Sequence, residues 1–328
     1  MTSPAELSQT RVLAVVGPTA VGKTAFAEEL AVRLSGEIVS ADSMQIYRGM
    51  DIGTAKPRLS ERRVPYHCID LVEPGEPFSA ALFQRVARTA IDDITNRGAT
   101  PVVAGGTGLY VRAALDRMEF PRGEQVENPL RERFEQYAAE NGAAALHSLL
   151  AQRDPASAAL IHPNNMRRVI RALEMDDEGV SYAQQAAGFS ARESVYAASY
   201  VGLTMDRAAL YARVDARVDE MLAEGLLGEV GRLLDAGLRD ALTATQAIGY
   251  KELVPVFEDG ADLEQAVAAV KQASRRYAKR QLTWFRSDPR IAWLDVTEMS
   301  TLEAASIALD TLDWATASAN VAGADTTT

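Results

Sequence analysis

Apolar and polar positions divide the chain into stretches of different period. In the first, short runs that are apolar throughout alternate with amphipathic ones. Residues 12–16 are wholly apolar and valine-rich, the pattern of a strand buried on both faces. Phe26, Leu30 and Leu34 follow at helical spacing, and Gly36 stands where that helix would end. Residues 36–42 are a second strand candidate, closing on the carboxylate of Asp42. Ser79 can cap a helix whose apolar face is Leu82, Phe83, Val86, Ala90 and Ile94, with Gly98 at its end. Residues 100–104 read as another buried strand. Strands and helices in alternation predict an α/β fold with a parallel core sheet.

The period then changes. Residues 120–198 contain no convincing strand, only helical repeats with clear punctuation. Asn128 with Pro129 opens a helix that Gly142 ends, Pro155 restarts the chain, and Asn164 or Asn165 opens a helix that stops by Gly179. This stretch reads as an all-helical insertion domain. Residues 1–119 and 199–328 are then the two halves of one α/β core. Residues 200–204 resume the sheet, and Asp206 caps a long helix that runs to Gly225. The last clear helix begins at Asp262, with Gln265 three residues on as a capping box. Val267, Val270, Tyr277 and Trp284 form its apolar face, opposite Lys271, Arg275, Arg276, Lys279 and Arg280. The small, polar tail after Ala315 reads as disordered.

Between the first strand and the first helix lies Gly17-Pro18-Thr19-Ala20-Val21-Gly22-Lys23-Thr24, a Gly-x-x-x-x-Gly-Lys-Thr loop. Such a loop turns successive backbone N–H groups and a helix N-terminus onto an anion. Lys23 adds a point charge, and the Thr24 hydroxyl can ligate Mg²⁺. The core is therefore expected to be P-loop NTPase-like. Asp42, at the same sheet edge, reads either as a cap or Mg²⁺ ligand or as a general base. Gly105-Gly-Thr-Gly-Leu-Tyr110 puts the Thr107 hydroxyl at another strand end, although that motif alone is often only a tight turn. Arg213 and Arg217, at i and i+4, can reach one anion or form a solvated stripe with Asp215, Asp219 and Glu220.

Composition narrows the class. One cysteine, Cys68, excludes an internal disulfide framework and fits a reducing cytoplasm. No apolar run approaches membrane length, so a soluble protein without a membrane partner is expected. The net charge of −11 argues by itself against nucleic acid, but its distribution does not. Residues 271–290 hold seven basic side chains and one acid, whereas 291–328 hold six acids and no Lys or Arg. The total conceals a basic face of the kind RNA needs.

With Ser40-Ala-Asp-Ser-Met-Gln-Ile-Tyr47, Ile52-Gly-Thr-Ala-Lys-Pro57, Ile248-Gly-Tyr250 and Arg276-Tyr-Ala-Lys-Arg-Gln-Leu-Thr-Trp-Phe285 added to the two glycine motifs, the chain resembles the tRNA dimethylallyltransferases. These are also called tRNA isopentenyltransferases, and the resemblance runs in order from residue 12 to 295. It implies transfer of a dimethylallyl group from dimethylallyl diphosphate to the N6 amine of the adenosine just 3′ of the anticodon. The tRNAs concerned read codons beginning with U, and diphosphate is released. By this resemblance the loop at 17–24, often described as ATP-binding, holds the donor diphosphate with Mg²⁺ at Thr24. Asp42 is the base, Thr107 helps hold the adenine, and Arg217 stabilises the departing diphosphate. Asp42, Ser43, Met44, Gln45 and Thr107 should touch the tRNA. So should Arg131, Arg167, Arg168, Arg171, Arg276, Lys279 and Arg280, on the anticodon stem-loop. The Cys/His zinc finger of eukaryotic relatives is missing, so the bacterial form, a monomer, is expected. A small-molecule P-loop kinase, a free-adenylate prenyltransferase and a non-catalytic RNA-binding protein are the rival readings.

Overall fold

The structure is a computed structural model that describes residues 10–120, 128–241 and 243–312. The tail expected to be disordered lies outside these residues. The chain divides into two compact units, Met1–Leu115 with Ser194–Thr328, and Asp116–Glu193. Both edges of the helical unit fall earlier than the expected 120 and 198. The return to the core is fixed by the Val195 N–H, which donates to the Leu115 carbonyl oxygen at 2.8 Å, and the next strand has begun by Ala197.

The first unit is built on six parallel strands: β1 (Arg11–Val16), β2 (Gly36–Ser40), β3 (Tyr66–His67), β4 (Thr100–Gly105), β5 (Ala197–Thr204) and β6 (Ile291–Asp295). Their order is β3-β2-β4-β1-β5-β6, with β1 between β4 and β5. The central position explains the apolar run at 12–16, every residue of which is fully buried. Helices α1 (Lys23–Arg33), α2 (Ala80–Asn96) and α3 (Gly108–Leu115) follow β1, β3 and β4. One core joins Leu13, Val15, Phe26, Leu30, Val102 and Leu203. Edge strands β3 and β6 were not apparent from the pattern: one is two residues long, and the other follows the basic helix directly.

Asp116–Glu193 is helical, as its punctuation predicts: α4 (Pro129–Arg153), α5 (Pro155–Leu160), α6 (Met166–Asp177) and α7 (Tyr182–Ser190). Gly142, at φ 84° and ψ 166°, ends the first helix of this range as expected, and a second runs on from it to Arg153. Asn165, not Asn164, caps α6. Phe134, Leu146, Leu150, Val169 and Leu173 form this unit's own core.

After β5 come α8 (Arg207–Ala223), α9 (Leu226–Asp235), α10 (Val254–Glu258), α11 (Leu263–Arg286) and α12 (Thr301–Thr311). Two buried charges fix the polar loop at 50–57. The Glu229 carboxylate on α9, 2% exposed, accepts the N–H groups of Asp51, Ile52 and Gly53 at 3.1, 2.9 and 3.1 Å and the Tyr250 hydroxyl at 2.6 Å. The Lys56 ammonium donates to Asp51 and Asp70, both at 2.6 Å, and to the Tyr47 carbonyl at 2.8 Å. Each charge is surrounded by opposite partial charge, which is what makes its burial tolerable. Glu229→Ala strips the acceptor from four donors. Stranding a buried donor costs about 1–3 kcal/mol, so the variant should lose roughly 3 kcal/mol or more in denaturant unfolding. A loss below about 1 kcal/mol would show that the loop does not depend on this carboxylate.

Candidate active site

Strand ends and helix starts converge at one edge of the sheet. The loop 17–24 leaves β1 with Gly17 at φ 148°, and a Cβ there would stand 2.7 Å from the Leu203 carbonyl oxygen of β5. Glycine is needed because the two backbones meet. Gly22 in the left-handed region then starts α1, whose first-turn N–H groups have no intrahelical acceptor. Lys23 folds back to donate to the Pro18 carbonyl oxygen at 2.6 Å. Burial, then the neighbouring Arg217, push its ammonium down to about 7, with Asp42 opposing them. Arg217 is likewise lowered by burial while Asp42 opposes the shift, and its guanidinium reaches the Thr19 hydroxyl at 3.5 Å.

A cavity of about 720 Å³ opens over Lys23 and Thr24, lined also by Arg58, Arg213 and Arg217. A second, of about 280 Å³, is lined by Asp42, Ser43, Met44, Lys251, Tyr277 and Arg280. Ala20, Arg217 and Met221 belong to both. This resolves the arginine pair: Arg217 stands between the cavities, whereas exposed Arg213 borders only the larger one. Thr24 is exposed on the floor of the larger cavity.

Asp42 follows β2, and its carboxylate accepts the Met44 N–H at 2.9 Å, which fixes the side chain by a local turn. Thr107 lies beside it. Its hydroxyl accepts the Ser43 N–H at 3.1 Å and donates to the Ser43 hydroxyl at 3.3 Å. Tyr277 of α11 stands beside Thr107 and Gln281; burial, then Asp42, push its phenol up to about 12. Asp42, Ser43, Met44, Thr107 and Arg280 are thus brought to one place, together with Tyr277. Gln45 turns inward. Its amide donates to the carbonyls of Thr54 and Ala55 at 3.2 and 3.4 Å, and it accepts the Ser40 hydroxyl at 2.9 Å. It braces the loop, and it also lines a small cavity of about 80 Å³ with Lys23, Asp42 and Arg217. Gln281, Tyr277 and the segment 246–251 were missed as site residues. A glutamine on the buried stripe of α11, between Ala278 and Phe285, is the signal that could have found Gln281. Trp284, expected on that apolar face, is 45% exposed.

The arginines differ in what they have free. In the helical unit Arg131 and Arg171 both bind the fully buried Glu174 carboxylate, at 2.7 and 2.9 Å. Arg133 pairs with Asp177, while Arg167 and Arg168 are exposed and form no ion pair among the described residues. On α11, Lys271 pairs with Asp219 at 2.6 Å and Arg275 with Asp215. Arg276, Lys279 and Arg280 remain exposed. The basic face is therefore narrower than the sequence suggested.

The family model for IPP transferases matches residues 45–288, and that for isopentenyl transferases matches residues 10–64. A tRNA dimethylallyltransferase of Geobacillus thermodenitrificans is 51% identical over 88% of this chain and 91% of its own. One from Bacillus subtilis is 49% identical over 87% and 91%. The crystal structure of a Bacillus halodurans tRNA isopentenylpyrophosphate transferase superposes with a TM-score of 0.68 at 42% identity, covering 95% of this chain and all of the other. A eukaryotic dimethylallyltransferase crystallised acting on tRNA gives 0.73 at 28% identity, over 95% and 78%.

The depressed Lys23 value has a consequence with a defined sign. Between pH 7 and the ordinary lysine value of about 10.4, the folded protein holds Lys23 neutral while the unfolded chain is protonated. Stability contributed by this group therefore rises with pH across that window and is at its lowest below it. An anion bound against Lys23 restores the proton. Pyrophosphate titrated near pH 8 in buffers of different ionisation enthalpy should show proton uptake, reduced in Lys23→Met. Equal uptake by the two proteins would place the binding proton elsewhere.

Proposed function

The chain belongs to the tRNA dimethylallyltransferase family, a family of prenyl transferases, and from that premise we propose how its site divides the reaction. The large cavity over Lys23 and Thr24 takes dimethylallyl diphosphate, and the smaller one takes the target adenine. The observation that carries this reading is Arg217, lying between Asp42 on one side and the anion loop on the other. The allylic C1–O bond breaks as the adenine N6 attacks C1. Negative charge then collects on diphosphate, where Lys23, Arg217 and the first-turn N–H groups of α1 stabilise it. The N6 proton passes to the Asp42 carboxylate, held ready by the Met44 N–H. Thr107, fixed by Ser43, has a hydroxyl on the adenine side.

Mg²⁺ fits here as a substrate-held ion. Among the described residues no group of three His, Cys, Asp or Glu side chains can hold a metal. Mg²⁺ commonly binds through substrate phosphates and one or two protein oxygens, and Thr24 offers one hydroxyl beside the loop. Bound there, it would neutralise charge on the diphosphate. The adenosine is the one 3′ of the anticodon, which must leave its stack, at a cost of a few kcal/mol, to enter the smaller cavity. Exposed Arg276, Lys279 and Arg280, with Arg167 and Arg168 of the helical unit, contact stem-loop phosphates. No helix among the described residues is long and apolar enough to cross a membrane, and a tRNA substrate suits a cytoplasmic enzyme working as a monomer.

Mass spectrometry of nucleosides from tRNA treated with protein, dimethylallyl diphosphate and Mg²⁺ should reveal prenylated adenosine. An anticodon stem-loop should be modified and AMP should not; comparable activity on AMP would favour a free-adenylate enzyme. Asp42→Asn should bind both substrates while slowing single-turnover transfer by about 10²–10⁴. Transfer within threefold of wild type would remove Asp42 from the role of base. Each neutralised phosphate adds about −0.7 to −0.9 to the slope of log affinity against log salt. Arg167→Ala should flatten the slope by up to about one unit. Arg131→Ala should change it less, since its guanidinium already binds Glu174, and the opposite ranking would contradict this assignment.

A further inference from the structure

The side chain of Gln281 joins three parts of the site. On α11 and only 6% exposed, it accepts the Thr19 N–H of the anion loop at 2.8 Å and donates to the Gly106 carbonyl oxygen at 3.0 Å. Tyr277, one turn earlier, lies against both Gln281 and Thr107. The approach is close: a Cβ on Gly106 would lie 2.2 Å from the Gln281 Nε2 and would push the carboxamide aside. One carboxamide therefore ties the donor loop and the loop that carries Thr107 to one helix. The residue immediately before it, Arg280, has an exposed guanidinium lining the smaller cavity.

We propose that Gln281 is a positioning residue that couples tRNA binding on α11 to diphosphate binding at the loop 17–24. This rests on the assignment of those two surfaces in the proposed function. Stem-loop contacts at Arg276, Lys279 and Arg280 fix the position of α11. Through Gln281 that fixes Thr19, so the diphosphate meets a loop already ordered, and the cost of ordering it is not incurred a second time. The linkage is reciprocal: the diphosphate tightens tRNA binding by the same factor. Gln281 touches neither reacting atom; it acts by where it holds Thr19 and Gly106.

The test is calorimetric titration of inorganic pyrophosphate with Mg²⁺ into the full chain, alone and saturated with an anticodon stem-loop. In the wild type, stem-loop should tighten pyrophosphate binding on the order of tenfold, within the usual range of coupling between sites. Gln281→Leu should bring that ratio close to one while stem-loop affinity, measured without pyrophosphate, stays within about twofold. Gly106→Ala should do the same with Gln281 intact, because the added methyl displaces the carboxamide. It also serves if the leucine variant does not fold. A purely structural role would lower melting temperature and both affinities together and leave the ratio unchanged. A wild-type ratio of one, or a ratio that survives in the folded variants, overturns the proposal. Lys23→Ala serves as the control. If it fails to weaken pyrophosphate, the donor-site assignment itself is wrong and the coupling falls with it; if it weakens pyrophosphate while the Gln281 ratio persists, only the coupling falls.

Discussion

Positive charge gathered in a confined space is the constraint around which the first unit is arranged. Burial lowers the tendency of both Lys23 and Arg217 to stay charged, and Arg217 adds to the effect on Lys23. Asp42 relieves both only in part. A polyanion entering the larger cavity supplies the missing negative charge, and the first-turn N–H groups of α1 already point toward that demand. Cations left uncompensated favour an anion at this place, at some cost to the free protein.

Such a site must be held open by groups outside it. Two buried ions do this on the loop at 50–57, where a carboxylate gathers three backbone N–H groups and a lysine gathers three oxygens. Gln45 ties the same loop to the segment that carries Asp42. Each buried polar group satisfies several partners, so the wall between Asp42 and the donor cavity is fixed by directional bonds as well as by apolar packing. Polar cross-links of this kind specify one geometry more sharply than interchangeable methyl contacts do, which suits a site where proton and leaving group depart in different directions.

Charge on the outer surfaces follows a different rule. Arginines that face an acid within their own unit are already engaged, as Arg131 and Arg171 are with Glu174 and Arg275 with Asp215. Arg167, Arg168, Arg276, Lys279 and Arg280 are exposed and form no ion pair among the described residues. In a chain of net charge −11, such exposed cations leave locally positive positions on an otherwise acidic surface.

The sequence by itself determined the parallel α/β core, the helical insertion, the anion loop and the placing of Asp42 and Thr107 at one sheet edge. Those features follow from local periodicity and from motifs whose spacing is their function, so no distant contact is needed to read them. Tertiary structure alone decided that Arg217 borders both cavities and Arg213 only the larger, that Gln45 turns inward, and that Glu174 engages Arg131. It also decided that Trp284 lies outward while Gln281 is buried in its stripe. Most of these depend on what a second element places opposite the side chain; Gln281 and Thr19 are 262 residues apart. Periodicity reports which face of a helix is apolar on average. It does not report that a glutamine is buried there because two loops offer it a donor and an acceptor.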